Sequence, residues 1–437
     1  MTIFRAYDVR GIYGTEFSEN TFENIGKAFG SCYEGGTILL GRDTRISGPS
    51  LQAAFLKGIL STGCNADNYE VIPIPILSFM TKADNRNAAA YISASHNPPE
   101  YNGVRFRTSM GYGMLYTKTD IINYYNNSEF RNGVGSEKKC NTNEAISRYK
   151  NYVTKKININ GDLKIVLDMG NGSACLMDSF YQELNCNPLV INGSQDGMFP
   201  GRGSAPTEKS LQEASKYVVS HNADYGVGFD ADADRGLIID DLGRILTPEK
   251  VAIIISERRY KSGDTIIAGL DCSMILEKEL EPFGIKVERE RVGDVFIANR
   301  VKDSGAVLGV EPSAHFFLPE FQYSDDPFAM SLVLGEIISQ GEKLSVLADA
   351  IPDYPYKQIS IHLNEDPAGV MLRLKDALAA MEPNTMDGLK VTTDTYSVLI
   401  RPSNTEPILR LSIETAAGDM AKLEERYVGL IRRAMKA

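Results

Sequence analysis

The chain has 437 residues, 43% hydrophobic and 24% charged, with a formal net charge of -11, ordinary for a globular protein of roughly two to four domains. Its isoelectric point near 5.1 argues against nucleic acid, which needs clustered Lys and Arg, while leaving room for a local pocket that holds small phosphorylated substrates. The sequence has no apolar run of about 18 residues and no signal-like start, and its six scattered cysteines and four histidines lead us to expect a cytoplasmic chain with reduced thiols, no membrane partner and no multi-His zinc site.

In chain order, short apolar runs repeatedly end in polar loops. Thr37–Leu40 leads into Gly41–Gly48, Ala88–Ile92 into Ser93–Pro99, and Leu163–Asp168 into Met169–Gly172. Tyr225–Phe229 leads into Asp230–Arg235, Ala306–Val310 into Glu311–His315, and Tyr396–Ile400 into Arg401–Pro407. Such runs predict buried strands. Helical periodicity appears at Ser210–Ser220 and Val251–Glu257, and an amphipathic helix is expected over Met420–Met435. Strands alternating with helices predict an α/β protein with parallel strands, whose ligands sit beyond the strands' carboxyl ends. The polar stretch Asn126–Lys139 reads as a surface loop leading to a linker near residue 150, and Asp240–Gly243 and Ile351–Pro355 are further breaks.

Four of these loops carry the chemistry. Asp230, Asp232 and Asp234 alternate, so their carboxylates can converge on one hard cation such as Mg²⁺. The glycine and glutamate of a calcium-binding EF-hand loop are missing. Arg235 would stand beside the metal and hold a phosphate oxygen. Ser95 can be read as a nucleophile, a turn serine or a helix N-cap; His96 is its neighbour, but no nucleophile elbow accompanies them. A metal-bound phosphoserine suits the aspartates better than a hydrolase triad. Arg401, Ser403, Asn404 and Thr405 can grip a phosphate dianion, and Glu311, Ser313 and His315 present groups suited to sugar hydroxyls.

Together these motifs, from Tyr7–Gly11 to Arg401–Pro407, resemble the α-D-phosphohexomutase superfamily of phosphomannomutases and phosphoglucomutases. The resemblance implies three related mixed-sheet α/β domains and a smaller α+β C-terminal domain around a central cleft. Expected boundaries are 1–150 (phosphoserine loop), 151–245 (metal loop), 246–353 (sugar loop) and 354–437 (phosphate loop). By the same resemblance Ser95 is the phosphoserine, and Ser95, Asp230, Asp232 and Asp234 surround Mg²⁺. Arg10, His96 and Arg235 steady the phosphoserine, and Arg105 stands at the position of a candidate acid/base. Glu311, Ser313, His315 and Arg291 read the sugar, and Arg401, Ser403, Asn404 and Thr405 hold its other phosphate. Phosphoserine would pass its phosphoryl group to the substrate and take the other one back from a hexose 1,6-bisphosphate, which also serves as activator. A monomer or homodimer is expected.

The chain departs from the family pattern. Arg105 and Arg291 replace the usual lysines, and an arginine stays protonated at any working pH. Ala231 and Ala314 replace glycines, implying strain of roughly 1 kcal/mol wherever φ is positive. Pro327 also stands where glycine is usual. Asn404 leans the reading toward mannose and glucose phosphates; a phosphoglucosamine mutase and a non-catalytic sugar-phosphate binder are the alternatives.

Overall fold

A computed structural model describes residues 3–184, 186–403 and 407–435. The first of its four sheets contains strands Asp8–Ile12, Tyr101–Thr108, Ala88–Ile92, Thr37–Arg42, Asn65–Val71 and Glu137–Lys139, in that spatial order. Its centre is parallel, but Tyr101–Thr108 runs antiparallel to both neighbours. The sheet is therefore mixed, as the resemblance implied, and not parallel throughout as the alternation alone predicted: a tight turn after Ser95 sends the chain straight back beside Ala88–Ile92. Gly103 lets strand Asp8–Ile12 pair on the other side, because a Cβ there would lie 2.2 Å from the Val9 carbonyl oxygen.

The stretch read as a loop over Asn126–Lys139 begins at the end of helix Ile121–Asn127 and closes with the edge strand Glu137–Lys139. Its charged, exposed residues suit an edge that must not recruit further strands. Helix Thr142–Val153 then runs across residue 150.

The second sheet joins Leu163–Asp168 and Tyr225–Phe229 in parallel, with Gly236–Ile239 as an antiparallel edge. The third is built on Thr265–Gly269, parallel to Lys286–Glu290 and Leu308–Val310. The helices expected over Ser210–Ser220 and Val251–Glu257 are Gln212–Ser220 and Pro248–Arg259. Pro327 opens helix Pro327–Ile338, where a missing N–H costs nothing, and Asp326 caps it through the Ala329 N–H at 3.0 Å.

The fourth sheet is wholly antiparallel and packs against helix Met420–Ala434. Apolar side chains of the second and third sheets share one continuous core, whereas the fourth sheet encloses its own. Two buried ionisable residues join that last unit to the third: Lys390 Nζ donates to the carbonyls of Leu270 at 2.6 Å and Cys272 at 3.2 Å, and Glu414 accepts from the Met274 N–H at 2.8 Å and from Ser273 Oγ. Among the described residues, no helix is long and apolar enough to cross a membrane.

Candidate active site

Ser95 lies at the turn beyond strand Ala88–Ile92, buried, with a φ of 51°. No helix follows it, which removes the N-cap reading. Its Oγ donates to Asp230 Oδ2 at 2.9 Å and lies 3.3 Å from His96 Nδ1. Burial, with Arg235 and Arg10 nearby, pushes the pKa of the His96 imidazole far down. Arg10 donates to Asn97 Oδ1 at 2.6 Å, holding the far side of the same turn.

Asp230, Asp232 and Asp234 are fully buried at the end of strand Tyr225–Phe229. Each offers an oxygen within 4.8 Å of the others, and Oδ1 of Asp232 has no hydrogen-bond partner. Burial, followed by repulsion from Asp234 and Asp232, raises the Asp230 carboxyl well above its ordinary range. Crowded oxygen donors with unpartnered lone pairs fit a hard divalent cation such as Mg²⁺. Arg235 Nε stands 3.9 Å from Asp230.

Ala231 has no positive φ, so the strain expected there is absent; Ala314, at 68°, carries it as expected, and Ala233, at 63°, carries it unannounced. Arg105 is buried and ion-paired to both Asp234 and Asp294. Although burial works in the opposite direction, Arg105 and His315 hold the Asp234 carboxyl well below its usual range. A second acidic group, Asp234, Asp294 and Asp325 with His315, already faces Arg105 and Arg107. Its charge is balanced by the chain itself.

His315 Nε2 lies 3.4 Å from Asp234 Oδ1, and its Nδ1 is 2.8 Å from Ser313 Oγ and 3.3 Å from Glu311 Oε2. Against the opposing effect of burial, these acids keep its pKa well above the ordinary histidine value. The Gly293 N–H donates to Glu311 Oε1 at 2.7 Å and fixes that carboxylate.

One cavity of about 390 Å³ is lined by Arg10, Ser95, His96, Arg105, Arg235, Glu311, Ser313 and His315. Arg291 is not in this lining: its guanidinium stacks 5.0 Å from the Phe296 ring, and its side chain is 48% exposed. Arg401 and Ser403 line a separate cavity of about 430 Å³; Asn404 and Thr405 lie outside the described residues. Pro312 lines that second cavity while its neighbours Glu311 and Ser313 line the first. The Glu311–His315 loop thus stands between them. Sequence reasoning missed Arg410, which joins Arg401 in the second cavity and faces it across the strand pair; its position nine residues on, in an alternating strand, was the available signal.

Residues 1–132, 146–243 and 247–354 match alpha/beta/alpha domains I, II and III of phosphoglucomutase/phosphomannomutase, and residues 363–427 match its C-terminal domain. The chain belongs to this family. It is a member of the α-D-phosphohexomutase superfamily, with the expected α/β architecture of three related domains and a smaller fourth.

Among curated relatives, a probable phosphoglucosamine mutase of Methanopyrus kandleri is 29% identical, over 99% of this chain and 98% of its own. One from Thermococcus gammatolerans is 31% identical over 99% of each. A phosphoglucomutase/phosphomannomutase of Thermococcus kodakarensis is 29% identical over 99% of each. The solved structure of a phosphoglucomutase/phosphomannomutase family protein from Burkholderia thailandensis superposes with a TM-score of 0.87 at 26% identity, covering 100% of this chain and 98% of that one. The family implies Mg²⁺ and a phosphoserine, and the buried aspartates fit such a metal.

Proposed function

We propose that this protein is a phosphohexomutase that interconverts the 1- and 6-phosphates of a hexosamine, glucosamine phosphate foremost. The observation that carries the mutase reading is the pair of cavities flanking the Glu311–His315 loop. One holds a buried serine hydroxyl against an acidic metal site, and the other holds paired arginines suited to a phosphate. A sugar bearing a phosphate at either end matches that spacing of functions.

In this reading Ser95 carries the phosphoryl group and passes it to the free hydroxyl at the near end of the sugar. The resulting hexose 1,6-bisphosphate turns around and returns its other phosphoryl group to Ser95. Bound Mg²⁺, held by Asp230, Asp232 and Asp234 with Ser95, would neutralise charge on the transferred group. Arg235 and Arg10 add fixed positive charge, and His96, beside the Ser95 hydroxyl, offers a ring nitrogen to a phosphoryl oxygen. Arg105, locked between two carboxylates, holds charge and does not move protons. Glu311, Ser313 and protonated His315 bind the ring hydroxyls, while Arg401, Arg410 and Ser403, with Asn404 and Thr405, hold the distal phosphate.

The choice of glucosamine rests on the relatives, most of which are named phosphoglucosamine mutases, and it reverses the preference that Asn404 had prompted. Mannose or glucose phosphate is the second reading, favoured by the Thermococcus kodakarensis phosphoglucomutase/phosphomannomutase. Turnover of glucosamine, mannose and glucose 1-phosphates, with Mg²⁺ and a trace of the bisphosphate, tests both readings. Ser95→Ala should abolish turnover, and the fastest sugar identifies the substrate. Wild-type turnover that survives Ser95→Ala would overturn the mechanism.

A further inference from the structure

We propose that Arg45, in the loop between strand Thr37–Arg42 and helix Gly48–Leu60, is a positioning residue for the Ser95 nucleophile. It lines neither cavity, yet it is completely buried. A guanidinium has five N–H donors, and every one is used. Nε donates to Asp43 Oδ2 at 3.0 Å. One terminal nitrogen donates to the carbonyls of Pro98 at 2.5 Å and Tyr101 at 3.0 Å, and the other to those of Ser95 at 2.6 Å and Asn97 at 2.7 Å. Arg45 therefore gathers the whole turn that carries the nucleophile onto one planar group.

A second chain of bonds starts from the same ion pair. Asp43 Oδ2 accepts from Ser93 Oγ at 2.8 Å, and Ser93 Oγ in turn accepts the Ser95 N–H at 2.7 Å. Ser93 Oγ also lies 3.1 Å from Asp232 Oδ2. The Ser95 backbone is thus held at its carbonyl by Arg45 and at its amide by Ser93. This matters because Ser95 sits at a φ of 51°, a conformation that a non-glycine residue keeps only when its surroundings over-determine it. Released from that grip, the turn would relax toward a more common backbone shape and carry Oγ away from Asp230. A lysine could supply charge to Asp43, but its compact ammonium cannot reach four separated carbonyls.

The inference rests on the mutase reading, and the test separates the two. Wild type, Arg45→Lys and Ser93→Ala are compared for thermal midpoint, kcat, KM and the rate at which hexose 1,6-bisphosphate phosphorylates Ser95, followed by mass spectrometry and normalised to folded protein. Misplacing a reacting atom by about 1 Å costs on the order of 100-fold. Arg45→Lys should therefore lower kcat and the Ser95 phosphorylation rate by about that factor with KM within roughly threefold of wild type. Ser93→Ala should lower both rates by about tenfold, again without moving KM. If Arg45→Lys does not fold, Arg45→Gln, whose amide keeps two N–H donors, is measured in its place. A folded variant that keeps kcat within about threefold, or whose loss lies entirely in KM, would overturn the positioning role and leave the mutase reading standing. A wild-type protein with no turnover on any hexose phosphate would overturn both.

Discussion

Arg105 pairs with Asp234 on one terminal nitrogen and with Asp294 on the other. A single side chain from the first sheet thereby joins the metal loop of the second to the helix Asp294–Ser304 of the third. Removing one partner of a buried ion pair leaves uncompensated charge, at a cost of about 3–5 kcal/mol. Arg105→Ala should lose stability in that range in denaturant unfolding. Arg105→Lys should lose less, because an ammonium can still satisfy one of the two carboxylates.

The three metal-loop aspartates work against one another in the folded chain. Asp230→Asn removes one negative charge from the crowd and keeps an oxygen to accept the N–H groups of Asp234 and Arg235, which now donate to Asp230 Oδ1 at 3.1 and 3.2 Å. The variant should be more stable than wild type in the presence of a chelator. It should also bind Mg²⁺ at least about tenfold more weakly by calorimetry, since a hard cation prefers charged oxygen ligands. Opposite signs for the two effects would identify the cluster as a site built for a cation.

Arg401 and Arg410 face each other directly across the strands Tyr396–Pro402 and Ile408–Thr415. Arg401 is already paired with Asp387 at 2.8 Å, which offsets part of the repulsion between like charges so placed, and an anion between the two arginines adds a favourable partner for both. Inorganic phosphate or a hexose phosphate should therefore raise the thermal midpoint of wild type. In Arg410→Gln that rise should shrink and KM should increase by about tenfold, equivalent to roughly 1.4 kcal/mol of lost phosphate binding.

Lys390 supplies a pH-dependent prediction. Burial, reinforced by Arg289, lowers its pKa from 10.5 to about 8. Between those values the unfolded chain binds a proton that the folded chain has released, so this residue makes stability rise with pH from about 8 to 10.5. Below about 8 both states are protonated, and the full cost of burying the charge remains. Denaturant unfolding at pH 7 and pH 9.5 should show that Lys390→Met removes this upward contribution relative to wild type.

The strand that delivers each motif was legible because a buried strand demands an uninterrupted apolar run, as Tyr225–Phe229 and Ala88–Ile92 show. Helix Pro248–Arg259 was recognisable for the same reason, although its ends extend beyond the periodic segment. The nucleophile loop and the alternating aspartates were legible because their chemistry is compressed into a few consecutive residues. Arg45 was not: its partners are backbone carbonyls, which every residue has, so no side-chain pattern announces them. Asp294 was hidden likewise, as an acidic residue opening a helix is commonplace until Arg105 arrives from another sheet. Arg291 misled because its place in the motif fixes the backbone of Val292 and Gly293 at the cavity but not the direction of its own side chain.

The attachment of the C-terminal unit through Lys390 and Glu414 has a consequence for handling the protein. Each partner in that joint is a group that water can replace, and the greasy interior of the unit is sealed separately. Cutting the unit away would wet these carbonyls and carboxylate oxygens together with the edges of Leu270, Ile275 and Leu399, which line the cavity beside them. Because the fourth sheet encloses its own core, a chain trimmed after residue 355 should still keep the interior shared by its second and third sheets closed.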